Sequence, residues 1–371
     1  MASTTDMMTT TSQNLSIDYD GVPTTTDGEY DYEGLMCDKL SVREFRGRYE
    51  PPLFWLITIL GGLGNLAVVW VYIHFRHRVK TMTEIYLLNL AVADLLFLCT
   101  LPLWAAEASQ GWSFGEGLCR VNLALYKVNL FSGMLLLTCI SVDRYVVIVQ
   151  TTKAQNSKRQ RLRCSKQVCL VVWLLAMVLA LPEFIFAKPK LTEDKEYCRM
   201  VYPGNKGNHT KIFVLSLQVS MGFCLPFLIM GFCYCVIICT LLKTRKFEKH
   251  RAMRVILVVV MVFVFTQLPH NAVLVVEATQ ATNITMTDCE QTKRFDVVGQ
   301  LLKSLAYTHA SLNPLLYAFI GVRFRKDVVR LLQAYHCWPS KGQLSKVGKP
   351  LSGSMRASVM SDTDTTQALS L

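Results

Sequence analysis

The chain has 371 residues, 51% hydrophobic and only 18% charged, with a net charge of +12. A soluble protein usually carries about a quarter charged residues. The deficit here gathers in long apolar runs, which excludes an ordinary soluble globular protein and points to a membrane protein.

The positive charge does not mark a nucleic-acid binder. Residues 1–50 hold ten acids against four bases. The bases elsewhere lie in short loops beside apolar runs, where they report membrane orientation rather than phosphate contacts. No Walker loop, HExxH or GxSxG occurs, so no catalytic constellation is expected and the chain reads as a non-enzyme. No CxxC pair with downstream His spacing suggests a metal site either.

In chain order, residues 1–50 form an acidic tail with no basic n-region followed by an apolar h-region, so no cleaved signal peptide is expected. Within it Tyr19, Tyr30 and Tyr32 are flanked by acids and Asn14 heads a glycosylation sequon. Seven apolar stretches follow, at 53–75, 84–106, 119–149, 168–186, 212–242, 255–278 and 297–320. Each has about the 20 residues a bilayer-crossing helix needs. Pro102, Pro182, Pro226, Pro269 and Pro314 fall inside them, tolerated where neighbouring helices satisfy the freed backbone groups.

The loops at 76–80, 150–167 and 243–254 are rich in Lys and Arg. By the positive-inside rule they are cytosolic, leaving the N-terminus outside. The sequons at Asn14, Asn208 and Asn283 then all fall outside, as do four cysteines, Cys37, Cys119, Cys198 and Cys289. Oxidising surroundings favour two bridges among these four, and three pairings are open.

After the last stretch, Phe324, Val328, Leu331 and Leu332 recur at helical spacing with basic neighbours. That predicts an amphipathic interfacial helix at 323–337, with Cys337 at its end a palmitoylation candidate. Residues 338–371 read as a disordered cytosolic tail whose serines and threonines could take phosphate and dock arrestin. The expected fold is thus an all-α membrane protein: a seven-transmembrane bundle at 51–322 with a short cytosolic helix that meets membrane lipids.

Polar residues inside the spans carry the functional signal. Asn65, Asp94, Asn129, Arg144 and Asn313 lie in hydrocarbon, where a charge costs roughly 2.5–3.5 kcal/mol by insertion scales. The bland alternative is interhelical glue, worth about 0.6–2 kcal/mol per contact. The set "GNLAV" (64–68), "NLAVADLLF" (89–97), "DRY" (143–145), Trp173, Pro226 with Tyr234, and "NPLLY" (313–317) resembles the rhodopsin-like G-protein-coupled receptors over about residues 37–337.

That resemblance implies roles. Arg144 would sit at the cytosolic end of the third helix, restrained by Asp143 beside Tyr145. It would be released to a heterotrimeric G protein when the sixth helix swings out, as Tyr234, Asn313, Pro314 and Tyr317 rearrange. Asp94, Asn129 and Asn313 would form a sodium pocket, although Gly133 removes one oxygen that many members supply. No other cofactor is implied.

"TLPLWA" (100–105) and the acid-flanked tyrosines narrow the resemblance to chemokine receptors. This implies Cys119–Cys198 and Cys37–Cys289 bridges and a secreted C-C chemokine as ligand, of the C-C motif chemokine 25 type. It also implies an inhibitory-class G protein and leukocyte chemotaxis. Ligand contacts would fall on Tyr19, Tyr30 and Tyr32, on the second outer loop (188–211), and on Trp104, Glu107, Tyr126, Lys303 and Tyr307.

Two departures stand out: Gln267 replaces the usual Trp, and Lys303 stands where many members carry Glu. Lys303 should repel a ligand amine unless Glu107, Glu277 or Asp296 compensates. A retinal lysine is not expected, because Lys303 lies eleven residues before Pro314, one turn too far out, and Tyr307 takes that place. A non-signalling scavenger is the alternative function. A transporter would require internal repeats or interrupted helix pairs, which the sequence lacks.

Overall fold

In the computed structural model, residues 37–74, 82–149, 158–192, 195–202, 207–244, 247–282 and 288–320 are described. Seven helical passes follow one another in the expected places. The first, Leu40–His74, is unbroken. The second is Met82–Leu98 continued by Leu101–Gln110. The third, Gly115–Val149, runs without a break. The fourth is Lys158–Leu179 with Leu181–Phe186. The fifth comprises Gly207–Val219, a π-helical turn at Ser220–Cys224, and Leu225–Thr244. The sixth is Phe247–Thr282, and the seventh is Cys289–Tyr307 continued by His309–Ile320.

Among the described residues, six of these passes are long and apolar enough to cross a membrane. The seventh begins in the polar run Cys289–Gln300 and becomes apolar only beyond it.

The helix breaks have local causes. Pro102 follows the second helix's break at Thr100, whose hydroxyl donates to Phe97 O at 2.6 Å and caps the interrupted turn. Pro182 follows the fourth helix's break at Ala180. Pro226 lies just past the π turn, where its missing N–H cannot close a regular i→i−4 bond.

The first helix begins thirteen residues before the apolar run at 53. Its extra turns carry charges rather than hydrocarbon, and Arg46 donates to Glu50 at 2.7 Å, one turn on. Pro51 and Pro52 lie inside the helix rather than at its start.

Exposure is inverted relative to a soluble protein. Leu56, Ile59, Leu60, Leu63 and Leu66 are each more than half exposed on the first helix. A contiguous apolar face of that length belongs against lipid. The interior holds Asn65, Asp94, Asn129, Arg144, Gln267, His309 and Asn313, all buried. A hydrophobic cluster around Leu90, Met134, Leu137, Tyr234 and Phe263 fills one part of the bundle. A second, around Phe97, Trp104, Tyr126 and Tyr307, fills another.

One element departs from the all-α expectation. Strands β1 (Ala187–Thr192) and β2 (Lys195–Met200) form an antiparallel hairpin between the fourth and fifth helices. Cys198 on β2 is disulfide-bonded to Cys119 on the third helix. Trp112 N–H donates to Glu196 O at 2.7 Å, stitching the preceding outer loop to the hairpin. That approach depends on Gly111, whose φ of 86° suits glycine and whose Cβ would lie 3.1 Å from Glu196 O.

Candidate functional site

Two buried polar clusters and one inner-rim cluster occupy the bundle interior. The first lies at the level of Trp104, around Arg46. Arg46 pairs with Glu50 at 2.7 Å and with Glu107 at 3.0 Å. The other Glu107 oxygen accepts the Cys198 backbone N–H at 2.8 Å. Glu107 therefore joins the first helix, the second helix and β2, and both of its oxygens are engaged.

None of the three acids named beside Lys303 makes a direct ion pair with it. Glu107 is held by Arg46, Glu277 faces Lys211 at 3.6 Å, and Asp296 faces Lys39 at 2.6 Å. Lys303 instead lies over two aromatic faces, 5.1 Å from the Trp104 ring centre and 5.6 Å from that of Tyr307. Tyr307 packs on Tyr126 with ring centres 4.9 Å apart. Four of the expected ligand residues, Trp104, Tyr126, Lys303 and Tyr307, thus form one contiguous group. Beside it Lys127, absent from the sequence reading, is buried 3.4 Å from Glu183 and also donates to Gln218.

The second cluster is Asp94 and its neighbours. Asp94 accepts one amide hydrogen bond from Asn129 and one from Asn313, each 2.9 Å. His309 reaches Asn129 Oδ1 with Nε2 at 3.1 Å, and its Nδ1 lies 2.6 Å from Ala306 O. Gln267 donates to Ala306 O at 3.1 Å, so it links the sixth helix to the seventh through the backbone.

The residues present fit a sodium ion poorly. Two amide nitrogens, not oxygens, face Asp94, and the Asn129 oxygen is directed at His309. Gly133 contributes nothing, since a Cβ there would meet only Leu90 and Phe263 carbons, at 3.6 and 3.9 Å.

At the rim that carries "DRY", Asp143 and Arg144 each take a partner on another helix. Asp143 pairs with Arg161 of the fourth helix at 2.7 Å. Arg144 donates to Thr83 Oγ1 of the second helix at 2.5 Å, and Thr83 in turn donates to Asp143 at 3.4 Å. Arg161 takes the direct contact with the carboxylate, and the Thr83 hydroxyl links that carboxylate to the guanidinium. Tyr234 accepts from Ser141 at 3.1 Å, and Tyr145 packs near Phe232 at 6.2 Å between ring centres. Pro314 seats against Gly64, where a Cβ would come within 2.8 Å of it. Trp173 donates to Asn89 at 3.0 Å, tying the fourth helix to the second.

Cys37 and Cys289 are each disulfide-bonded. Asn208 is exposed at the start of the fifth helix. Tyr19, Tyr30, Tyr32, Asn14, Asn283, Cys337 and the amphipathic stretch at 323–337 lie outside the described residues, as does the side chain of Tyr317.

A family model described as the 7 transmembrane receptor (rhodopsin family) matches residues 64–317. The chain is 42% identical to C-C chemokine receptor type 9 of Mus musculus over 354 residues, 95% of each chain. It is 43% identical to C-C chemokine receptor type 7 of Homo sapiens over 325 residues, 86% of this chain and 84% of that one. To human atypical chemokine receptor 4 it is 38% identical over 333 residues, 89% of this chain and 93% of the relative.

The chain belongs to the chemokine receptors of the rhodopsin family. It is a multi-pass plasma-membrane receptor and not an enzyme.

Proposed function

We propose that this chemokine receptor signals: it binds a secreted C-C chemokine on its extracellular face and activates an inhibitory-class heterotrimeric G protein, in the service of leukocyte chemotaxis. The N-terminus lies outside, with Asn14, Asn208 and Asn283 glycosylated and the tail tyrosines meeting the basic chemokine core. Electrostatic attraction of that kind speeds encounter and weakens with salt. The cytosolic helix rests on lipid through Cys337, and the phosphorylated tail recruits arrestin.

The single observation that carries this reading is the hydrogen-bonded rim, where Arg144 donates to Thr83 and Thr83 in turn donates to Asp143. A carboxylate reached through a hydroxyl is released more cheaply than one in a direct buried ion pair, so a modest ligand preference can shift the balance between held and free Arg144.

The test is a panel of C-C chemokines applied to cells expressing the receptor, read by suppression of cAMP and by calcium release. At least one chemokine should produce both in a dose-dependent way. Ligand uptake with neither response would replace this reading with the scavenger.

A further inference from the structure

The imidazole of His309 lies beside Asp94, deep in the bundle. Its Nε2 is 3.9 Å from Asp94 Oδ1 and 3.1 Å from Asn129 Oδ1. A sodium ion held by the residues that the family resemblance implies would have to share those two oxygens. His309 therefore competes with such an ion for the same ligands.

The ring has little room to move aside. Its Nδ1 lies 2.6 Å from Ala306 O and 3.2 Å from Gln267 Nε2. Phe97 stacks on it with ring centres 6.3 Å apart and planes 11° from parallel, and Phe263 meets it edge-on at 5.1 Å. The residue is 1% exposed. Side chains of the second, third and sixth helices thus hold a ring of the seventh, and a close-packed interior resists its displacement.

The other groups at this centre are already committed. Each Asp94 oxygen accepts one amide N–H, from Asn129 and from Asn313, both at 2.9 Å. A hard cation takes oxygen ligands. Turning Asn129 to offer its oxygen would give up its bond to Asp94 and present Nδ2 to His309. Gly133 adds no oxygen, and a Cβ there would make only ordinary contacts, with Leu90 at 3.6 Å and Phe263 at 3.9 Å.

We propose that His309 takes the place of the ion in this receptor. It closes the Asp94 centre to sodium and ties the third helix to the seventh in the ion's stead. A solute stabilises only the state that binds it. Sodium therefore shifts neither the folding stability of this receptor nor the balance between its resting and active arrangements. The proposal concerns the bundle interior and does not depend on which ligand the receptor takes.

The experiment melts the full-length, detergent-solubilised receptor across a sodium chloride series. Choline replaces sodium at constant ionic strength, so general screening does not vary. Wild type is compared with His309→Asn and with His309→Asn combined with Gly133→Ser, which removes the imidazole and supplies an oxygen at each position. In parallel, the distance between spin labels on the third and sixth helices is followed over the same series without any ligand.

The wild-type melting temperature should stay constant to within about 1 °C across the series, whereas that of the double variant should rise with sodium by about 2–4 °C. His309→Asn alone should rise by less. The wild-type label distance should not respond. A sodium-dependent rise in wild-type melting temperature, or a sodium-dependent change in that distance, overturns the proposal, and neither arm needs a variant to fold. A folded double variant as unresponsive as wild type overturns the assignment of the closure to His309.

Discussion

At the residue scale, the account turns on which partner each buried charge has chosen. The sequence places Glu107 among candidate ligand contacts because it is an acid in the outer third of a span. Its geometry makes it a strut between Arg46 and the Cys198 amide. Nothing in the local pattern shows this, since Arg46 lies 61 residues away and before the first apolar run. Glu107→Gln should therefore destabilise the receptor by about 1.5–3 kcal/mol, the range for a hydrogen bond to a charged group. Thermal melting of the detergent-solubilised protein checks this. Adding Arg46→Met should recover part of the loss, because the uncompensated buried charge goes with it.

Arg144 was legible as a functional charge from "DRY", yet its partner was not. Asp143 is adjacent in sequence, but neighbours one residue apart on a helix point about 100° away from each other. The hydroxyl of Thr83 and the guanidinium of Arg161 come from other helices and meet the pair face on. Thr83→Val removes the acceptor for Arg144 and should cost the resting arrangement about 1.5 kcal/mol. That is about a tenfold shift toward the active state, read as raised basal nucleotide exchange. Thr83→Ser, which keeps the oxygen, should restore the low basal rate.

At the scale of elements, hydrocarbon patterning located all seven helices, because a bilayer demands long apolar runs and little else produces them. It stopped short wherever a helix continues into polar surroundings. The turns at Leu40–Glu50 are stabilised by ion pairs, and the polar start of the seventh helix by the Asp288 cap, which accepts from Glu290 N at 3.2 Å. The hairpin was missed because its strands alternate weakly and pair mostly through backbone. The turn-forming "TEDK" at 192–195 was the one local sign.

Packing between elements gives a matched pair of glycine tests. A Cβ on Gly64 would meet the rigid Pro314 ring at 2.8 and 3.0 Å, whereas one on Gly62 meets nothing within 4 Å. Gly64→Ala should lower stability by about 1–3 kcal/mol through overpacking of the first helix on the seventh. Gly62→Ala should be neutral or stabilising by up to about 1 kcal/mol, from helix propensity alone. Melting temperatures of the two variants decide it.

The Cys119–Cys198 bridge closes a loop of 79 residues and fixes the hairpin over the bundle. Its loss should cost about 2–5 kcal/mol. Cys119→Ala should abolish surface chemokine binding, whereas Cys289→Ala should weaken binding and leave the bundle folded.

At the scale of the whole molecule, the arrangement is a bundle whose interior polar residues fall into three separate clusters, around Arg46, Asp94 and Arg144. Gln267 and His309 belong to the second, bonded to the seventh-helix backbone and to Asn129 beside Asp94. Sequence motifs singled out Asp94, Asn129, Arg144 and Asn313, because those residue types are costly in lipid. Between them, only Gln267 drew notice in the sequence, as a polar residue at a position where the resemblance implies Trp for many members. Such clusters matter for function only if they have two arrangements that a ligand distinguishes.

The most direct measurement is a distance between spin labels on the cytosolic ends of the third and sixth helices of the full-length receptor in nanodiscs. It is taken with and without the chemokine that the panel selects. The account predicts that agonist shifts the population toward a longer separation, and that Thr83→Val produces part of that shift unaided. A distance distribution unchanged by a chemokine that demonstrably binds would contradict it.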